Sequence, residues 1–126
     1  MLRIHKQQMD ALSTEALHDY EDRLLPHLRK FFPAYCDSLG EERVRGVIRY
    51  GIARAGSHDI TLEREVCIYI DAMFAFGRDF DEDPALPWAA AVLNEPSATR
   101  GYRLFDVAFE HLDEARGLRV DPEESE

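Results

Sequence analysis

The chain has only two cysteines in 126 residues, Cys36 and Cys67, and they do not form a Cys-x-x-Cys pair. That excludes a disulfide-stapled scaffold and a cysteine-built zinc ribbon, and both thiols are expected to be reduced core residues. No run approaches the roughly 18 consecutive apolar residues of a membrane helix. Met1 to Gln8 also lack the apolar segment of a secretory leader. The expected location is therefore the cytoplasm, with no membrane partner. Basic residues are in deficit, 15 Lys and Arg against 25 Asp and Glu, for a net charge of −10. Such a surface repels phosphate backbones, so no nucleic acid is expected and a basic protein partner fits better. A Gly-x-Ser-x-Gly elbow, a phosphate-cradling glycine loop and a suggestive Cys/His pair are all missing. Without a nameable nucleophile or base, the expectation is a protein that is not an enzyme and needs no cofactor.

What is present is a strongly apolar stretch that organises the rest. From Val66 to Gly77 the only charged residue is Asp71, and a helix apolar nearly all round belongs inside a core. Leu62, Val66, Ile70, Met73, Phe74 and Gly77 recur at helical spacing, and Ile68, Ala72, Ala75 and Phe76 make a second stripe. This helix is expected to meet neighbours on two sides.

Around it the punctuation reads as further helices. Ile4, Met9 and Leu12 suggest a short amphipathic turn. Ser13 and Thr14 supply an N-cap for a stripe of Leu17, Tyr20, Leu24, Leu28, Phe31 and Phe32, with Pro26 predicting a kink or two abutting helices. Pro33 opens a short turn ended by Gly40, with Tyr35, Cys36 and Leu39 inward. Val44, Val47, Ile48, Gly51, Ile52 and Ala55 form the next stripe, with Gly56 as its left-handed cap and Gly51 admitting a close neighbour. Thr61 is expected to cap the central helix. Pro87 starts a short helix to Leu93, and Ser97 caps a last one whose inward stripe is Tyr102, Phe105, Ala108, Phe109 and Leu112, stopping at Gly117. The expectation is an all-α, single compact domain of five to six helices over 1–117, around a central buried helix at about 62–76, with a disordered acidic tail at 118–126.

The exit from the central helix is an acidic loop, Arg78 to Trp88. Asp79, Asp81 and Asp83 alternate as at the opening of a calcium loop, but Pro84 stands where the sharp turn needs glycine and Ala90 where the bidentate glutamate belongs. Calcium is therefore not expected. Asp79, Phe80, Asp81, Asp83 and Trp88 are the candidate partner-binding residues, an aromatic anchor with an acidic rim. The first expectation for Phe80 and Trp88 themselves is that they pin the loop to the core, the anchor role applying if they are exposed instead. Arg45 and Arg49 are one turn apart and repel unless a carboxylate lies between them, so the loop acids are one candidate for that place. Asp71 cannot be buried alone as an ion, and it is expected to reach the rim or pair with Arg49 or Arg54 as a structural group. His5, His18, His27, His58 and His111 show no ligand spacing. A metal site would have to be assembled from distant positions, and none is expected.

The runs from Ile48 to Ala55, from Tyr69 to Gly77, and from Asp79 through Pro84 to Pro87 and Trp88 resemble small helical proteins of Gram-negative bacteria encoded near type VI secretion spike and effector genes. The similarity spans roughly Leu24 to Leu93, and it carries no catalytic residues over. It implies an adaptor or chaperone for a secreted effector or spike component, or an immunity protein that inhibits a cognate toxin. A metal-binding protein or an enzyme without a recognisable motif is the remaining alternative. A homodimer completing its core across an interface is also an expectation.

Overall fold

The first well-capped turn begins at Ser13, whose side chain accepts a hydrogen bond from the Ala16 amide at 3.1 Å and satisfies one of the free donors at a helix start. The computed structural model describes residues 13–95 and 100–111, and over these the chain is all-α with no β-strand. Helix α1 is Thr14–Phe31, α2 is Pro33–Leu39, α3 is Glu41–Ser57, α4 is Glu63–Phe76 and α5 is Pro87–Leu93. A one-turn 3₁₀ helix, Phe80–Glu82, lies between α4 and α5. A last helix, α6, occupies residues 100–111. The early amphipathic turn, the Ser97 cap, Gly117 and the acidic tail fall outside the described residues.

The expected hub is the hub. Val66, Tyr69 and Ile70 on α4 are fully enclosed, together with Leu28 of α1 and Ile48 of α3, each contributing about 1.5–3 kcal/mol by leaving water. Helix α3 lies close against α4 because Gly51 has no side chain. A Cβ there would stand 2.7 Å from Ile70 Cγ1 and 2.9 Å from Met73 Sδ. Helix α6 approaches α4 in the same manner, since a Cβ at Gly101 would stand 2.4 Å from the Cβ of Glu65. Arg100 secures this corner, donating to the Glu95 carbonyl at 2.8 Å and to the His58 carbonyl at 2.8 Å.

Several local expectations are corrected. Pro26 does not divide its segment, because α1 runs through it; the flanking turns bury Tyr20, Leu24, Leu25 and Leu28, and that packing outweighs one lost backbone bond. Gly56 is helical, and the left-handed residue is Asp59 at φ 63°. The Ile60 amide donates to Ala55 O and the Asp59 amide to Gly56 O, both at 2.9 Å. This is the paired closure of a Schellman turn, with the fully buried Ile60 as its apolar clasp. Thr61 is not the cap of α4; Leu62 takes that position without a side-chain bond. Tyr35 is exposed, its ring edge-on to Phe74 with centroids 5.2 Å apart.

The largest correction concerns α6. Gly101 and Leu104 face the core together with Ala108, the one residue of the expected stripe that does so, while Tyr102, Phe105 and Phe109 are exposed and Leu112 lies outside the described residues. Both stripes have helical spacing. The one containing Gly101 docks because a backbone without a Cβ can come closest to Glu65.

Candidate functional site: the acidic loop and the groove between α1, α4 and α6

The acidic loop is held from within. Asp81 is buried, and its Oδ2 accepts from Arg54 Nε at 3.1 Å, from Arg54 Nη2, from His58 Nε2 at 3.0 Å and from the Tyr69 hydroxyl at 2.8 Å. Its Oδ1 has no hydrogen-bond partner among the described residues. Burial alone would raise its pKa, but the bonds from His58, Tyr69 and Arg54 more than offset this and hold it below the usual carboxylate range. Phe80 is fully buried against Tyr69, with ring centroids 5.0 Å apart. Trp88 is half-buried, stacked on His111 at 4.6 Å and edge-on to Phe76 at 5.0 Å. Asp79 is exposed and accepts from the Tyr50 hydroxyl. Asp83 accepts from the Ala85 amide at 2.9 Å. Of the five loop candidates, Phe80 and Asp81 are thus internal, and only Asp79, Asp83 and Trp88 remain in reach of a partner.

The arginines divide differently from the sequence expectation. Arg45 and Arg49 pair with α1, not with the loop: Glu21, buried between them, accepts from Arg45 Nη1 at 3.0 Å and from Arg49 Nε at 2.8 Å. Asp22 and Glu41 complete the set on Arg45 at 2.6 and 3.1 Å. A carboxylate does lie between the two like charges, as required, but it comes from 28 residues away in the chain. Arg54 alone reaches the loop, where Glu82 joins Asp81.

Asp71 pairs with neither Arg49 nor Arg54. Its oxygens lie 2.9 and 3.0 Å from His27 Nε2, and Cys67 Sγ lies 3.8 Å from that same nitrogen. Helices α1 and α4 bring this cluster together by running side by side in one direction. Tyr20 donates to the Glu63 carbonyl at 3.0 Å and Arg23 Nη1 to the Glu63 carboxylate at 3.1 Å, so His27 two turns on meets Asp71 two turns on. Burial pushes Asp71 above the usual carboxylate range, with the His27 interactions opposing. Burial, aided by Asp71, pushes the Cys67 thiol up to about 12, so it is not a ready thiolate nucleophile. A Cys-His-Asp relay would use both ring nitrogens; here one nitrogen faces both partners.

His27 and Asp71 line one wall of an apolar groove of about 400 Å³, whose other walls include Phe31, Ile68, Phe76, Phe105 and Phe109. The second stripe of α4 predicted from sequence, Ile68, Ala72, Ala75 and Phe76, lines it along its length. Cys67 lines a separate cavity of about 390 Å³ with Tyr20, Arg23 and Tyr102. Sequence reasoning missed both the groove and the cluster. Their one legible sign was Cys67 and Asp71 four apart on a helix, which fixes a shared face but says nothing of His27.

No family model, no curated protein and no solved structure matches this chain. No helix among the described residues is long and apolar enough to cross a membrane.

Proposed function

We propose that the protein is a non-enzymatic binding module whose groove takes an apolar-faced, basic segment of a partner protein. The observation that carries this reading is the exposure of three phenylalanines around one groove: Phe31 at 58%, Phe105 at 51% and Phe109 at 60%. Clustered exposed aromatics mark surfaces that complete themselves by binding, and a groove between helices suits an amphipathic helix with anchors at i, i+3, i+4 and i+7. Charge selects the partner's sign. Asp71 sits in the groove wall, Asp106 and Glu110 lie on the exposed side of α6, and the chain carries −10 overall. Long-range attraction of that kind speeds association with basic partners more than it tightens the complex.

With the resemblance of Ile48 to Trp88 to proteins encoded beside type VI secretion genes, the partner is read as a secreted effector or spike component, and the protein as its adaptor or chaperone. The test is co-expression with the products of the neighbouring genes, comparing the native chain with Phe105→Asp/Phe109→Asp. Capture of a basic product by the native chain alone is the expected result. Equal capture by the double variant removes the groove as the contact. If the native chain sediments as two copies and the variant as one, the groove belongs to a homodimer; protection from a neighbouring toxin without any effect on export assigns an immunity protein.

A further inference from the structure

We propose that His27, Cys67 and Asp71 form a transition-metal site of the zinc class, with three protein ligands and a fourth position open toward the groove. Each residue offers one donor atom, and the three donors lie within 4.8 Å of one another. Around a tetrahedral zinc with bonds of about 2.0–2.3 Å, donors stand roughly 3.3–3.6 Å apart. The observed Sγ to Nε2 separation of 3.8 Å and Nε2 to carboxylate separation of 2.9 Å straddle that range. Side-chain rotation of a few tenths of an ångström brings these two pairs into range, and the Sγ and carboxylate donors, within 4.8 Å of each other, close on the ion by the same rotations, replacing the His27 to Asp71 hydrogen bond with bonds to the metal.

The backbone arranges these donors in advance. Cys67 and Asp71 are one turn apart on α4, so both project from one face. His27 comes from the adjacent α1, its ring steadied by Phe31 with centroids 5.0 Å apart. All three residues are half-buried, sheltered from bulk water yet reachable, with the groove on the side of His27 and Asp71 and the second cavity on the side of Cys67. A histidine and carboxylate pair alone is satisfied by its own hydrogen bonds. The sulfur directed at the same imidazole nitrogen is what that pair leaves unaccounted for. Thiol and imidazole donors favour zinc, cobalt or copper over magnesium and calcium, which take oxygen. Three protein ligands leave room for a water or for a donor from a bound molecule, the arrangement of open zinc sites.

The test uses the full chain, stripped with a chelator and titrated with Co²⁺, followed by optical spectroscopy, and then with Zn²⁺. One equivalent of Co²⁺ is expected, with tetrahedral visible bands and a thiolate-to-cobalt charge-transfer band, both displaced by Zn²⁺. Cys67→Ser should abolish the charge-transfer band, and Asp71→Asn or His27→Gln should weaken binding by at least the roughly tenfold that even an outer-shell change costs. Cys36→Ser, a buried thiol elsewhere, should change neither. Absence of stoichiometric binding, or a charge-transfer band that survives Cys67→Ser, overturns the proposal. Should the His27 or Asp71 variants fail to fold, zinc-induced thermal stabilisation decides: present in the native chain and lost in Cys67→Ser it supports the site, and equal in both it overturns it. None of these measurements depends on the partner taken by the groove.

Discussion

Replacing Asp81 with Asn tests whether the acidic loop is a structural element of the core. The side chain of Asp81 is fully enclosed, while Arg54 retains 26% exposure. Asparagine keeps an oxygen where Oδ2 now meets Tyr69 and His58, but it removes the charge facing Arg54 and puts an NH₂ where Oδ1 has no partner among the described residues. A bond to a charged group is worth about 1.5–3 kcal/mol. Since Oδ1 is already unpaired in the native chain, the loss of the charge facing Arg54 sets the expected cost at about that size, toward the lower end of the roughly 3–5 kcal/mol seen when one member of a buried ion pair is removed. Against a typical total of about 5–15 kcal/mol, Asp81→Asn should shift the urea midpoint markedly without changing its slope. Asp79→Asn and Asp83→Asn, at exposed and half-buried positions, should each stay within about 0.5 kcal/mol of the native chain. A loss below about 1 kcal/mol for Asp81→Asn would refute the reasoning and return the loop to the surface. The comparison also governs binding experiments, since a triple Asp79, Asp81 and Asp83 replacement weakens the fold itself, and only the Asp79 and Asp83 changes report on recognition.

Two glycines on α3 should respond with opposite signs to alanine. Gly46→Ala, with nothing within 4 Å of its new Cβ, should stabilise by about 0.5–1 kcal/mol through helix propensity; Gly51→Ala should lose about 1–3 kcal/mol to overpacking against Ile70 and Met73, both read by thermal or urea unfolding. Gly101→Ala should likewise detach α6 from Glu65, seen as faster amide exchange in residues 101–111 at unchanged protection of α4. Acid unfolding should carry the mark of Asp81. Its folded pKa lies below the ordinary value of about 3.9, so its contribution is complete above that value and is lost as pH falls through the lower folded pKa. The stability profile of Asp81→Asn should therefore be flatter below about pH 4, and a profile parallel to that of the native chain would contradict this. Glu65 has the opposite sign: burial raises its pKa, so its ionisation opposes folding as pH rises past the ordinary carboxylate range, and Glu65→Gln should narrow that difference at neutral pH.

By itself the sequence determined the helical class, the central helix and most of the stops. These depend on neighbours along the chain: the apolar run from Val66 to Phe76, prolines at 33 and 87 in first-turn positions, and the glycine at 40 where the backbone turns to positive φ, whereas Gly77, read as part of the apolar stripe, is the exposed end of the helix. The close approach at Gly51 was legible as well, because a missing side chain on an apolar stripe has one common use. Tertiary structure decided which of two equally periodic stripes of α6 faced inward, and left Phe105 and Phe109 outside. It also chose the partners of the charges. Glu21 for Arg45 and Arg49, Asp81 for Arg54, and His27 for Asp71 lie 24 to 44 residues apart, beyond any local spacing rule. The groove and the His27, Cys67 and Asp71 cluster belong to that second kind, since they exist only where α1 and α4 run in register and no residue pattern on either helix specifies the distance between them.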